Sequence, residues 1–205
     1  MEEADRQAAE VIARNVGLLE SAIDFASTKM DAALFDAVRE TLRRKNEHLR
    51  WESEFGDNFD DGPWMAPTEW RADGEDVGRD YHLYCHLCID DDEMKTWLAY
   101  FAGVEGRRAY LCISTSTITG SRNLRNFARG VQNELDQLID VGFIFDAKGF
   151  KIKWPMNFDQ EQIAKGFVDD DLAQALGPLE DAIDRVANSR EVLDRIQDAI
   201  RRETA

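Results

Sequence analysis

Two kinds of apolar spacing alternate along this chain, and together they set its fold class. Residues 4–26 and 28–45 repeat apolar side chains every three or four positions, as amphipathic helices do. Residues 81–89 and 108–117 alternate at period two, which indicates strands. Helical spacing returns after Pro155. The chain therefore predicts an α+β fold.

The order of these segments predicts one domain over residues 1–205. It comprises a helical hairpin in 1–50, a sheet core in 51–154 and C-terminal helices in 155–205. The sheet, antiparallel or mixed, is predicted to have about five strands, one of them short and near 68–72. The core segment also holds an acidic loop stretch and one long helix over 121–140.

Two local signals bear on helix boundaries. Thr28 and Asp31 resemble a capping box, which predicts a break between the first two helices. After the acidic run 90–93, Met94, Trp97 and Phe101 share one helical face, which favours a helix over the alternative of a strand across 95–102.

Charge is distributed very unevenly. The net charge is −16, yet residues 51–106 hold 15 acidic residues against three basic ones, and residues 107–154 hold eight basic against four acidic. Phosphate binding requires local positive charge, so free nucleic acid is not an expected direct partner, and an anionic membrane would repel the chain. A basic protein surface is the partner that this charge favours.

The acidic segment also carries tryptophans, and a docking surface for a basic protein combines aromatic anchors with carboxylates that steer association. The alternative is that the rings complete the core and the acids are merely solvated. The predicted partner-binding residues are Trp51, Asp57, Asp60, Asp61, Trp64, Trp70, Asp73, Glu75 and Asp76.

Arg122, Arg125 and Arg129 share one face at the start of the long predicted helix. This placement opposes the helix dipole, which favours acids in the first turn. The two explanations are an anion bound at the preceding turn, 117–121, or internal pairing with the acidic segment. The three arginines are thus candidate anion-binding residues.

The order of elements in the centre of the chain resembles the restriction-endonuclease-like nuclease core. That resemblance implies a metal-dependent nuclease or an inactive relative, with an acid and a lysine together on a strand. Asp146-Ala147-Lys148 is the one matching pattern, and it is predicted to be a hairpin turn. The strand over 108–117 contains no acid. The nuclease remains the alternative hypothesis.

Other site patterns are incomplete. Cys85 and Cys88 lie three apart on a strand and so point to opposite faces, which prevents them from gripping one ion. A histidine–cysteine set on one face, His82, His86 and Cys88, is the residual metal alternative. Residues 57–62 resemble a calcium loop, but Phe59 stands where a ligand oxygen is needed. No metal or cofactor is predicted.

The resulting hypothesis is a non-enzymatic acidic binding protein that docks on a basic partner surface. An inhibitor, immunity or anti-defence protein that mimics nucleic acid has this character. Self-association through the terminal helices, giving a homo-oligomer, is a further prediction. Three cysteines and the lack of a basic, apolar secretory start favour a reducing, cytoplasmic location.

Overall fold

The computed structural model describes residues 3–72, 81–89 and 94–204. The α+β prediction is confirmed: an antiparallel sheet is joined by helices from both ends of the chain. The sheet has six strands rather than five. In the described part of the chain, no helix combines the length and apolar character needed to span a bilayer.

The N-terminal segment is one long helical rod, so the predicted hairpin is wrong. Helix α1 (Glu3–Phe25) runs through a π-helical turn (Ala26–Met30) into α2 (Asp31–Leu49) with right-handed helical backbone angles at both junctions. The Thr28 hydroxyl donates to the Asp24 carbonyl at 2.6 Å instead of capping a new helix. This back-bonding is compatible with a local bulge and does not reverse the chain.

The sheet is built in the order β1-β2-β3-β4-β6-β5, with every neighbouring pair antiparallel. Its two central strands match the period-two segments of the sequence. The predicted strand near 68–72 is wrong, because Thr68–Trp70 forms a 3₁₀ turn and the strand lies just before it. The strands are β1 (Glu52–Glu54), β2 (Trp64–Ala66), β3 (Tyr84–Ile89), β4 (Ala109–Ser114), β5 (Ile144–Asp146) and β6 (Lys151–Pro155).

The two faces of the sheet have different surroundings. Cys85, Leu111 and Ile152 point to the face that shares the main hydrophobic core with the helices. The opposite face, which we call the outer sheet face, includes acidic residues at the β1 edge and lysines on β6. Its main members are Glu52, Glu54, Trp64, Tyr84, His86, Cys88, Tyr110, Cys112, Ser114, Lys151 and Lys153.

The segment after residue 93 is helical, as favoured, although α3 is short (Trp97–Phe101). The run 90–93 lies outside the described residues. The long helix predicted over 121–140 is divided at Val131 into α4 (Ser121–Gly130) and α5 (Gln132–Asp140). Gly130 precedes the break, and a glycine is a common place for a helix to bend.

The C-terminal helices pack against the rest of the core as α6 (Gln160–Asp169), α7 (Gly177–Asn188) and α8 (Arg190–Thr204). Asp159 caps the start of α6, since its carboxylate accepts from the N–H groups of Glu161 and Gln162. Lys45 on α2 pairs with Asp184 on α7 at 2.7 Å. The buried face of α2, with Leu34, Phe35 and Val38 in the core, fixes the rod to the body.

Candidate functional site

The strongest candidate is an open depression at the β1–β2 connection, lined almost entirely by carboxylates. Its volume is about 570 Å³, and we call its lining residues the acidic face. The sequence from 51 to 70 contains no lysine or arginine. Negative charge is therefore concentrated here without a local counter-charge from the same segment. The acidic face consists of Glu54, Asp57, Asp60 and Asp61, together with the backbone of Gly56.

Side-chain hydrogen bonds hold this loop in one conformation. Asn58 accepts from the backbone N–H groups of Asp60 and Asp61, which caps a 3₁₀ turn. The Asp61 carboxylate accepts from the Asp57 backbone N–H and from the Asn58 amide, both at 3.0 Å. Phe59 between them is buried. The loop thus presents its acids from a fixed frame, and the residues that resemble a calcium loop form an exposed acidic turn.

Gly56 is the tightest point of this frame. Its φ is +59°, and a Cβ there would lie 2.6 Å from Cβ of Asp61. Gly62 has a similar φ of +61° but open space around it. Left-handed backbone costs a non-glycine residue about 1–2 kcal/mol.

We expect Gly62→Ala to lower the free energy of unfolding by about 1 kcal/mol, and Gly56→Ala to lower it further because the methyl must also displace Asp61. Urea denaturation of both variants measures the difference. Equal losses would show that the contact between Gly56 and Asp61 does not constrain the loop.

The three predicted tryptophan anchors occupy different environments. Trp70 is wholly buried and Trp51 is buried beside it, with ring centroids 6.2 Å apart. Both rings belong to the core, so they are not part of the accessible surface. Trp64 is half-buried on the outer sheet face, and its indole N–H donates to Glu54 at 3.2 Å. The predicted Asp73, Glu75 and Asp76 lie outside the described residues.

A neighbouring cleft contains an aromatic residue that the sequence analysis did not select. Trp97 stacks on Phe59 with ring centroids 4.4 Å apart and remains half-buried. It lines a cleft of about 240 Å³ together with Asp57, Asp60 and Asp31. Two partly accessible indoles thus lie next to the acidic face: Trp64, which donates to Glu54, and Trp97, which shares a cleft with Asp57 and Asp60.

Asp31 lies at this border and shows how acids on the loop affect each other. Its carboxylate accepts from the backbone N–H groups of Trp97 at 2.9 Å and Leu98 at 2.8 Å. Burial raises the pKa of Asp31 despite these two bonds, and the nearby negative charge of Asp60 raises it further. A clustered arrangement of acids is the physical cause of that second effect.

The acidic face has a basic residue at its edge. Arg39 on α2 lies 4.0 Å from Asp57, but it also pairs with Asp36 at 2.6 Å. The Asp57 side chain is 97% exposed. At the β1 edge, Glu52 accepts the Tyr81 hydroxyl and has Arg71 at 3.9 Å. Burial and the Glu52 carboxylate together raise the pKa of Tyr81. The Glu52 carboxylate is therefore engaged in contacts with Tyr81 and Arg71, whereas the Asp57 carboxylate is open to solvent.

A polar network fixes the buried end of the acidic segment. The Trp70 indole N–H donates to Asp194 at 2.6 Å, and Arg190 pairs with the same carboxylate at 2.7 Å. Arg190 also reaches Glu69 at 3.0 Å and lies over the Trp70 ring. The partner residues are more than 100 positions away in the chain, so no local sequence pattern points to them.

The arginine stripe lies apart from any acid in the described regions. Arg122, Arg125 and Arg129 are all exposed on α4, and within residues 3–72, 81–89 and 94–204 no carboxylate is within 4.0 Å of them. Arg125 donates to the Ser121 carbonyl at 3.1 Å. Pairing with the described acidic residues is thus not seen, and anion binding at this stripe stays a prediction.

Histidine and cysteine residues come together between β3 and β4. The predicted opposite orientation of Cys85 and Cys88 is confirmed, with Cys85 facing the helices. Cys112, which has no neighbouring cysteine in the sequence, forms a disulfide with Cys88 across the two strands. This pairing differs from the expectation of three reduced cysteines. Burial raises the pKa of the free Cys85 thiol to about 12.

His86 hydrogen-bonds through Nε2 with the Ser114 hydroxyl at 2.9 Å, a contact that the sequence analysis missed. Ser114 is buried, so the pair links two strands and offers no open nucleophile. Asp146-Ala147-Lys148 lies at the β5–β6 hairpin, where the Asp146 carboxylate accepts from the Lys148 N–H. Within the described ranges, no three His, Cys, Asp or Glu side chains are grouped as metal ligands would be.

The chain matches no protein-family model, and searches of curated proteins and of solved structures find nothing similar to it. Geometry and charge are therefore the observations from which a function can be argued.

Proposed function

We propose that this protein is a non-enzymatic acidic binding protein whose acidic face docks on a basic surface of a partner protein. The observation that carries the proposal is the open depression lined by Glu54, Asp57, Asp60 and Asp61. Clustered, exposed carboxylates create a strong local negative potential, which speeds encounter with a positive surface and disfavours wrong partners.

Rigid presentation supports this proposal. The acids project from a loop fixed by the Asn58 cap and by the Asp61 hydrogen bonds. A surface that is ordered before binding loses less conformational entropy on association. Trp64 and Trp97, both half-buried, border the depression and offer apolar area that a partner would cover. Aromatic side chains beside charged groups are a frequent combination at binding surfaces.

The class of partner follows from the charge. Basic protein surfaces with closely spaced positive groups are typical of sites that hold nucleic acid. A protein that occupies such a site with carboxylates acts as a nucleic-acid mimic. The proposed role is that of an inhibitor, immunity or anti-defence protein, one that blocks a nucleic-acid-binding partner.

Charge-neutral variants test whether the acidic face is the docking surface. The triple variant Glu54→Gln, Asp57→Asn, Asp60→Asn removes three charges and leaves the structural Asp61 in place. The matched control Asp140→Asn, Asp181→Asn, Glu203→Gln removes three charges from exposed positions on α5, α7 and α8. The probe is fluorescent decalysine, and its binding is followed by anisotropy at low salt.

We expect the acidic-face triple variant to bind decalysine at least about tenfold more weakly than the wild type, because clustered charges act together. The affinity of the control variant for decalysine should fall by less than about threefold. Equal losses in the two triple variants would mean that only the overall charge of the chain attracts the probe, and the acidic face would lose its assigned role.

A further inference from the structure

Helix α1 lies away from the core and exposes its entire apolar side. All residues from 5 to 25 are exposed. Large apolar side chains that stay exposed along a whole helix are unusual, because most helical stability in proteins comes from packing an amphipathic face. The exposed fractions are 61% for Val11, 53% for Ile12, 51% for Val16, 71% for Leu18, 43% for Leu19, 40% for Ile23 and 59% for Phe25.

These side chains fall into two neighbouring rows along the helix. The first row advances by alternating steps of three and four residues, and so does the second. A 3.5-residue average repeat keeps a row facing a partner helix that winds around it. The first row is Ala9, Ile12, Val16, Leu19 and Ile23, and the second is Ala8, Val11, Asn15, Leu18, Ala22 and Phe25.

We propose that copies of this chain associate through α1 into a helical bundle. A helix with two adjacent rows of this kind can contact two neighbours at once, as each helix in a bundle of three or more does. Polar residues occupy the opposite side, where Glu10 pairs with Arg14 at 2.5 Å. The polar side is therefore suited to solvent and the apolar side to other helices.

The length of α1 supports contact along both rows. The two rows run from Ala8 to Phe25, about 27 Å of helix, so a single row about 10 Å wide offers roughly 270 Å² of footprint. A stable interface buries about 800 Å² on each partner. One row alone provides about a third of this area and two rows together about two thirds, so contact along both rows is needed to come near it.

Charge and the one polar residue in the rows favour a second copy as the occupant. The net charge of residues 3–25 is only −3 of the total −16, so identical helices can approach here with little repulsion. Asn15 interrupts the second row. A single asparagine in an apolar row is best matched by the same residue of an identical helix, and such a residue fixes register.

The alternative occupant is a lipid surface. Helices that lie on membranes carry many lysines and arginines on the polar face. The polar side of α1 instead carries Glu10, Glu20 and Asp24 against Arg6 and Arg14, so basic residues do not predominate there. An anionic bilayer would not attract it, which makes a protein helix the better occupant.

Sedimentation equilibrium of the full chain tests the proposal. We expect a mass of three or four times 23.4 kDa for the wild type. Leu19→Glu in the first row and Leu18→Glu in the second should each raise the concentration at half-assembly by at least about thirtyfold. Ser21→Glu, which adds the same charge on the polar side, should leave assembly unchanged.

Near-ultraviolet circular dichroism checks that each variant keeps its folded body. A monomeric wild type overturns the proposal, and so does an oligomer that both leucine variants leave intact. Dissociation by only one of the two leucine variants would refute the two-row bundle. A monomer that floats with phosphatidylcholine vesicles would assign α1 to lipid and likewise overturn the proposal.

Discussion

Trp70→Ala is expected to lower the free energy of unfolding by about 3–5 kcal/mol, the usual cost of removing a buried tryptophan. The ring is fully buried, lies 6.2 Å from the Trp51 ring between centroids, and donates its N–H to Asp194. Its removal would leave a large cavity and would take one of the two donors from a partly buried carboxylate. A loss of this size is a large share of the roughly 5–15 kcal/mol that stabilises a typical domain.

Trp64→Ala is the matched control for this variant. Trp64 belongs to the same acidic segment but is half-buried on the outer sheet face. Its truncation should therefore lower the free energy of unfolding clearly less than Trp70→Ala does. Urea denaturation, followed by circular dichroism so that no indole signal is needed, measures both variants. A small loss for Trp70→Ala would contradict the assignment of this ring to the core and would return it to the set of candidate docking anchors.

Asp31→Ala is expected to lower the free energy of unfolding by about 2–3 kcal/mol, because it removes the charged carboxylate that accepts two hydrogen bonds from the start of α3. The N–H groups of Trp97 and Leu98 would lose their partner at 2.9 and 2.8 Å. Asp31→Asn retains one acceptor oxygen and should be milder. Asp36→Ala, which removes an exposed acid that pairs with Arg39 on the same helix, should lower the free energy of unfolding by at most about 0.5 kcal/mol.

The raised pKa of Asp31 determines the direction in which its contribution to folding stability changes with pH. Its pKa in the folded state is raised, first by burial, so the folded state takes up a proton before the unfolded state does as the pH falls. The wild type should therefore gain stability relative to Asp31→Asn as the pH drops through the range between the unfolded and folded pKa values. Denaturation midpoints of both proteins across mildly acidic pH measure this difference. A relative loss for the wild type would refute the raised pKa.

The sheet and the terminal helices were predictable because each gives a repeated local signal. β3 and β4 alternate at period two over their whole length, and their pairing then places Cys85 and Cys88 on opposite faces as predicted. The buried residues Leu193, Ile196 and Ile200 on α8 follow helical spacing in the same way. Such patterns require no knowledge of distant residues.

The errors arise where distant residues decide the structure. The Thr28 hydroxyl and the Asp31 carboxylate suggest a cap for α2, but one bonds back to Asp24 and the other caps α3, which lies 66 residues further on. A capping pattern does not reveal such a partner. The break between the two N-terminal helices was predicted wrongly for this reason.

The candidate site was predictable only in its charge. The acidic loop and its carboxylates follow from composition, whereas the burial of Trp70 depends on Asp194 and Arg190 at the other end of the chain. The spacing of Trp97 predicts its position on a helical face, but its place beside Asp57 and Asp60 depends on the tertiary fold. Sequence patterns locate a surface but do not determine which of its rings remain accessible.

The most direct test of the proposed acidic docking face is the salt dependence of decalysine binding. The association constants of the wild type and of the Glu54, Asp57, Asp60 triple variant are measured from about 50 to about 500 mM NaCl. We predict a steep decline for the wild type and a clearly shallower one for the triple variant, since fewer charges then take part. Binding that is insensitive to salt, or identical slopes for the two proteins, would contradict the account.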